Sequence, residues 1–353
     1  FNFDFENNDI NEIHMDLAKG VQEKYEEAIL QYIKFYKDKF SCDFLSLSGG
    51  CAMNSLANGK IIEKLNFKDV YIPPAPGDAG GAIGAAILCD KELYNSKKRY
   101  YQNPYLGGDL KDINLKNIIE NKINKSELKN ITIDKYSNED LVKVVAKNIY
   151  DNNVVGWYQN RMEWGPRALG NRSILANPCN PNMKDIINLK IKRREKFRPF
   201  APSILREDLS KWFNLNVDSP YMLLVSDINA EKKIEMTEQQ KQLFGIDKLN
   251  IKRSEIPAVT HVDYSARIQT VDKKNNKYYY DLISKFKEKT GCPVLVNTSF
   301  NVRGEPIVCT VLDAFNCFMG TNLDLLVCGN FILVKEDQNK SLIKDYKLQF
   351  ELD

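Results

Sequence analysis

The chain has 353 residues, 43% hydrophobic and 27% charged, which suits two or three globular domains and excludes collagen, coiled coil and a long disordered tail. Fifty Lys and Arg against 47 Asp and Glu leave a net +3, no global signature for nucleic acid or a membrane surface. Mean hydropathy is −0.42, and no run approaches the roughly 18 apolar residues of a membrane span.

The chain opens on Phe1 without a basic start or an apolar stretch of the secretory kind, and the missing initiator Met suggests a piece of something longer. Leu17, Val21, Tyr25, Ala28, Tyr32 and Phe35 recur at helical spacing and predict an amphipathic helix over residues 13–36. A short buried strand is expected at 42–47, a helix at 51–65, a second strand at 70–72 and a small-residue helix at 78–88. This alternation around glycine turns reads as α/β. Residues 95–133, rich in Asn, Lys and Tyr, read as a linker or surface excursion. Beyond it come a helix at 139–150, a strand at 154–157, a polar arginine-rich block at 161–198 and a strand near 200–204. A charged, solvated insertion follows at 232–252. A helix at 280–289, a strand at 294–297, a helix at 310–319 and a hairpin of 325–328 with 331–334 close the chain. Gly329-Asn330 is a suitable hairpin turn.

None of the eight cysteines forms a close pair of the zinc-binding kind, so they read as mostly buried thiols in a reducing, cytoplasmic compartment.

Five blocks could carry chemistry. Ser48-Gly49-Gly50-Cys51 joins a strand to a helix, where amides can approach an anion or a ribose; an ordinary tight turn explains it too. In the block from Pro73 to Ala86, Asp78 is either an N-cap or a ligand for a metal or hydroxyl. Glycines at 80, 81 and 84 cost a helix about 1 kcal/mol each, which a ligand lying on the backbone would explain. Arg161, Arg167 and Arg172 sit among Gly, Pro and Asn, so Arg167 and Arg172 are expected on a rigid loop, with forks suited to phosphate or carboxylate. Lys190 to Arg194 fits a solvated basic helix, whereas the aromatic and proline neighbours of Lys196 and Arg198 predict buried stems and anion binding. Finally, Arg267 and Gln269 flank Ile268 on an expected strand. A buried strand also ends in Asn297, Ser299, Asn301 and Arg303, as ligand pockets often require.

The motifs SLSGGCAMN, PAPGDAGGAIGAA, NRMEWGPRALGNRSILANP, KFRPFAPSIL, PAVTHVDYSARIQTV and PVLVNTSFNVRGEPIV occur in that order. Together they resemble the O-carbamoyltransferases of the nodulation and antibiotic-tailoring family. The resemblance implies part of an actin-like transfer domain with its linker over 1–132. A domain like the enzymes that make threonylcarbamoyl-adenylate would follow over 133–353. It further implies that carbamoyl phosphate and ATP, with Mg2+, give carbamoyl-adenylate, and that an iron-type metal site passes the carbamoyl group to a small-molecule or sugar hydroxyl. Arg167, Arg172, Lys196 and Arg198 would be catalytic. Arg161, Ser173, Arg267, Asn297, Ser299, Asn301 and Arg303 would bind ATP and carbamoyl phosphate. Gly49, Gly50, Asn54, Gly80 and Gly81 would cradle the adenylate, and Asp78 would bind the metal. Members carry an earlier half-domain with a paired-histidine metal motif; here only His14 and His261 occur, so the remaining metal ligands are expected outside this chain. An RNA- or nucleotide-binding module and threonylcarbamoyl transfer to tRNA are the competing readings. A membrane partner is not expected, nucleic acid is disfavoured, and a homo-oligomer is left open.

Overall fold

A computed structural model describes residues 11–97, 103–110, 132–192, 197–243, 245–339 and 350. The first element, α1 (Glu12–Phe40), starts where Asn11 and His14 exchange a reciprocal pair of capping bonds. One stripe of it finds a partner: Ile33 packs with Ile61 and Leu65 of α2 (Ser55–Leu65). Leu17, Val21, Tyr32, Phe35 and Phe40 stay exposed. Strands β1 (Phe44–Ser46) and β2 (Asp69–Tyr71) pair in parallel with Leu45 opposite Val70. The expected buried strand at 42–47 is therefore shorter, and Phe44 and Ser46 are exposed. Nothing among the described residues covers their outer side, although parallel pairs are ordinarily sheltered on both faces. Helix α3 (Asp78–Tyr94) is apolar yet has no buried residue.

The rest of the chain builds a nine-stranded mixed sheet, in the spatial order β3-β11-β10-β4-β5-β9-β6-β8-β7. The strands are β3 (Asp134–Lys135), β4 (Val155–Tyr158), β5 (Arg172–Ala176), β6 (Ala201–Leu205), β7 (Leu224–Asp227), β8 (Ser265–Val271), β9 (Val294–Ser299), β10 (Leu325–Cys328) and β11 (Phe331–Val334). Helices α4 (Asn138–Tyr150), α5 (Met183–Ile187), α6 (Lys277–Thr290) and α7 (Val311–Gly320) accompany it. Leu141, Val145 and Ile149 of α4 and Leu282, Ile283 and Phe286 of α6 are buried at helical spacing in one core with the inner strands. Strands β4, β5, β6 and β10 are buried at every position; β10 is apolar throughout, whereas β5 and β6 carry Arg172, Ser173 and Ser203 into the interior.

Several expectations need correction. The segment at 161–198 is not all polar loop: Arg172 opens a fully buried central strand, because Ile174, Leu175 and Ala176 fill the core while carbonyls accept from both Nη atoms of the guanidinium, its Nε alone staying without a partner. The cysteines are not mostly buried. Cys42, Cys51, Cys89 and Cys309 are exposed, and only Cys292, Cys317 and Cys328 are fully inside. In the expected solvated basic helix at 190–194, Arg193 and Arg194 lie outside the described residues, and the two described lysines are not solvated. Lys190 pairs with Asp324 at 2.6 Å, and Lys192 is 4% exposed. Phe197, Arg198 and Pro199 lie exposed, so the stem of Arg198 is not buried by its neighbours.

The N-terminal elements dock on the sheet edge through α2 and β7. Asn58 Nδ2 donates to the Leu223 carbonyl at 3.0 Å, and Gly59 lets the Val225 carbonyl approach so closely that a Cβ would sit 2.0 Å from its oxygen. Gly59→Ala is expected to cost about 1–3 kcal/mol of stability through this backbone clash. A denaturant titration of the variant against the parent chain checks it.

Lys335 offers a pH test of packing. Its ammonium donates to the Phe318 and Met319 carbonyls at the end of α7, and burial pushes its pKa down to about 8 from 10.5. Between those values the unfolded chain holds a proton that the folded chain lacks. The contribution of Lys335 to stability therefore rises from pH 8 towards 10.5, as the cost of burying its charge is relieved. Chemical denaturation across this window should show a less positive pH slope for Lys335→Met than for the parent chain.

Candidate functional site

The strand registers bring Arg172, Ser173, Asn297 and Ser299 together at one end of the sheet. Ser173 lies opposite Ser299, and Asn297 lies between Leu175 and Ala201. The loop 161–171, which enters β5 at this end, is pinned from several sides. Glu163, 6% exposed, accepts the amides of Leu169 at 2.7 Å, Asn171 at 2.8 Å and Arg172 at 3.2 Å through Oε1 alone. Asn297 Nδ2 donates to the Ala168 carbonyl and to Gln269 Oε1, and Gln269 Nε2 in turn donates to the Leu169 carbonyl. The Tyr105 hydroxyl also donates to Leu169, while Trp157 Nε1 donates to Gly170. Burial, and then the nearby Glu163 charge, push the Tyr105 pKa up, which keeps it a donor.

This frame holds Arg167. Its Nε is buried without a hydrogen-bond partner, no ion pair satisfies it among the described residues, and desolvation disfavours its charge. A half-buried guanidinium of this kind is suited to an incoming anion.

The other cations have different surroundings. The Arg172 guanidinium lies 3.5 Å over the Tyr158 ring and donates to the carbonyls of Gln159, Asn171, Asn160 and Gly108. Its geometry is that of an internal clamp. Arg161 is exposed and donates to Gly107 and Leu106, holding the 103–110 segment against the loop. Ser173 Oγ accepts the Gly170 amide. Arg267 is half-buried near His261, whose pKa is pushed down by burial, with the Asp263 charge opposing and Arg267, Lys184 and Arg253 adding to the shift. Arg303 follows β9, half-buried. Lys196 lies outside the described residues.

Three residues here escape a reading from sequence. Lys192 donates to the Ser299 carbonyl at 2.6 Å, Ser299 Oγ at 3.1 Å, the Asn301 carbonyl at 2.9 Å and Asn301 Oδ1 at 2.6 Å. It ties the two polar residues at the end of β9 together, and Ser299 Oγ donates to Asn301 Oδ1. Glu163 is the second. Trp164, whose indole donates to the Ala79 carbonyl at 3.2 Å, is the third. The available signal was an acid and an aromatic inside an otherwise cationic block.

A cleft of about 920 Å³ opens on the far side of Trp164, lined by Ser48, Gly49, Pro73 to Asp78, Gly80 to Gly84, Asn103 and Leu106 among others. The glycine turn and the α3 helix thus share one cavity. Within it, Gly80 has a local reason to be glycine, since a Cβ would lie 2.0 Å from the Ala75 oxygen. Gly81 and Gly84 face open space, so a ligand can approach the helix backbone there. The Gly49 amide is already taken by the Pro76 carbonyl, and Gly50 opens a short 3-10 turn. Asn54 does not line the cleft: its side chain caps α2 at Ala57 and exchanges two bonds with Gln22. Asp78 is not the N-cap, which is Gly77, and its exposed carboxylate stands at the cleft. No group of three or more His, Cys, Asp or Glu among the described residues could hold a metal ion. His14 caps α1 and His261 lies in the loop that leads into β8, so Asp78 by itself does not fit a metal centre.

A family model described as carbamoyltransferase C-terminus matches residues 146–335, and one described as carbamoyltransferase N-terminus matches residues 4–87. The chain belongs to the carbamoyltransferase family. It is 46% identical, over 96% of its own length and 55% of the relative's, to an uncharacterized protein of Synechocystis. It is 38% identical to nodulation protein NolNO of Sinorhizobium fredii, over 91% of this chain and 44% of that one. It is 31% identical to the 3'-hydroxymethylcephem-O-carbamoyltransferase of Streptomyces clavuligerus, over 75% of this chain and 43% of that enzyme. The chain spans about half the length of the curated relatives it matches. No described helix is long and apolar enough to cross a membrane.

Proposed function

We propose that this chain carries the donor-activating site, and one wall of the transfer site, of an ATP-dependent O-carbamoyltransferase. In this reading the large sheet belongs to a domain like those that make threonylcarbamoyl-adenylate, and residues 11–97 belong to an actin-like half. Carbamoyl phosphate, MgATP and one water meet at the sheet end: water takes up the phosphoryl group of carbamoyl phosphate as free phosphate, and the carbamoyl oxygen displaces pyrophosphate from the α-phosphorus of ATP to give carbamoyl-adenylate. The carbamoyl group then passes to a hydroxyl of a small molecule or saccharide.

The observation that carries this reading is Arg167, a half-buried guanidinium without a partner among the described residues, on a loop pinned by Asn297, Gln269 and Glu163. Two polyanions repel, so a fixed cation between them lowers the cost of bringing them together and of developing charge on the leaving pyrophosphate. Arg172 and Glu163 keep that cation in place. The Ser299 hydroxyl and the Asn301 amide, oriented by Lys192, supply polar contacts. No step is assigned to a metal at Asp78. Against the RNA-binding alternative, Lys190 and Lys192 of the basic run are engaged with Asp324, Ser299 and Asn301; Arg193, Arg194 and Lys196 lie outside the described residues.

The direct test is pyrophosphate release from ATP in the presence and absence of carbamoyl phosphate. Release that requires both substrates supports the reading, and its absence from a folded full-length protein overturns it.

A further inference from the structure

Two carboxamides, one on each strand beside β6, grip the loop that carries Arg167. Asn297 stands opposite Ala201 in the β6–β9 pair, and Gln269 stands opposite Ser203 in the β6–β8 pair. Asn297 is 1% exposed and Gln269 2%. They hold the two carbonyls that directly follow Arg167: Asn297 Nδ2 donates to Ala168 at 3.0 Å, and Gln269 Nε2 donates to Leu169 at 2.9 Å.

Gln269 decides which way both amides face. Its Oε1 accepts from Ser203 Oγ at 2.6 Å and from Asn297 Nδ2 at 2.8 Å. Two donors converging on one atom require it to be the oxygen, so the nitrogen is turned to Leu169. Asn297 depends on the same contact. Its Oδ1 has no hydrogen-bond partner among the described residues, so only the two bonds of Nδ2 hold its amide in this orientation. Either amide turned over would set an oxygen against a carbonyl oxygen.

We propose that Gln269 is the positioning residue for Arg167, acting through the Ala168 and Leu169 carbonyls and touching no substrate itself. This rests on the role given above to Arg167 in pyrophosphate release. Without Gln269 the Leu169 carbonyl still accepts from the Tyr105 hydroxyl and the Ala168 carbonyl from Asn297, so the loop stays folded but loses its fixed placement. A guanidinium displaced by a fraction of an ångström keeps most of its attraction for bound ATP, because Coulomb energy falls slowly with distance. Its fit to the charge developing in the transition state is lost first. The signature is a fall in kcat with KM for ATP nearly unchanged.

The test is a double-mutant cycle in the full-length protein. Pyrophosphate release and melting temperature are measured for the parent, Gln269→Met, Arg167→Ala and the double variant. Gln269→Met is expected to lower kcat about tenfold in the parent background. In the Arg167→Ala background the further loss should stay below about twofold, since nothing remains to be positioned. Equal losses in both backgrounds overturn the proposal and leave Arg167 in its role, as does full activity of Gln269→Met. A parent that releases no pyrophosphate overturns the underlying reading and the proposal with it. Should Gln269→Met fail to fold, Gln269→Glu takes its place. Its protonated carboxyl can accept from Ser203 and Asn297 and donate to Leu169, so its release relative to the parent should rise as the pH falls. A ratio that does not change with pH overturns the proposal.

Discussion

Arg167→Ala is expected to lower ATP- and carbamoyl-phosphate-dependent pyrophosphate release by on the order of 100-fold, with little change in thermal stability. The asymmetry follows from its surroundings. The wild-type guanidinium makes no hydrogen bond or ion pair among the described residues and bears a desolvation penalty, so its removal forfeits little folding energy. It should forfeit the charge that meets the leaving group. Parallel measurement of release rate and melting temperature checks both halves. An active Arg167→Ala with normal melting would remove this residue from the proposed chemistry.

Glu163→Ala should show the opposite profile, a loss of stability first and of activity as a result. One carboxylate oxygen accepts three backbone amides across the loop, and deletion leaves those donors buried without an acceptor. A cost of about 3 kcal/mol is expected, since bonds to charged acceptors contribute roughly 1.5–3 kcal/mol and do not add independently. Glu163→Gln keeps a carbonyl oxygen at the same position and should recover much of the loss. The three proteins compared by denaturant titration separate the geometry of the acceptor from its charge. Equal stability of Glu163→Ala and the parent chain would show that the amides find other partners.

The sequence made the sheet's periphery easy to read and its functional end harder. The β10–β11 hairpin falls at 325–328 and 331–334 as expected, because an apolar run on each side of a Gly-Asn turn leaves few alternatives. Helices α4 and α6 were legible from their apolar spacing. Arg172 was not recognisable as a strand residue, since a buried arginine needs carbonyl partners contributed by Gln159, Asn160 and Gly108, which local pattern cannot reveal. Lys192 was misread for the same reason: its partners lie more than a hundred residues away. Asn297, Ser299 and Asn301 were legible as polar groups at a strand end, but not as a network held by Lys192 and Gln269. In the N-terminal part, periodicity predicted α1 but not that Leu17, Val21 and Phe35 would stay exposed.

Trp164 and Arg167 stand three residues apart on one loop, the first lining the large cleft and the second at the sheet end. Whatever loosens this pinned loop is therefore felt in two places at once: a substitution that frees its backbone should disturb the lining of the cleft at Trp164 together with the surroundings of Arg167.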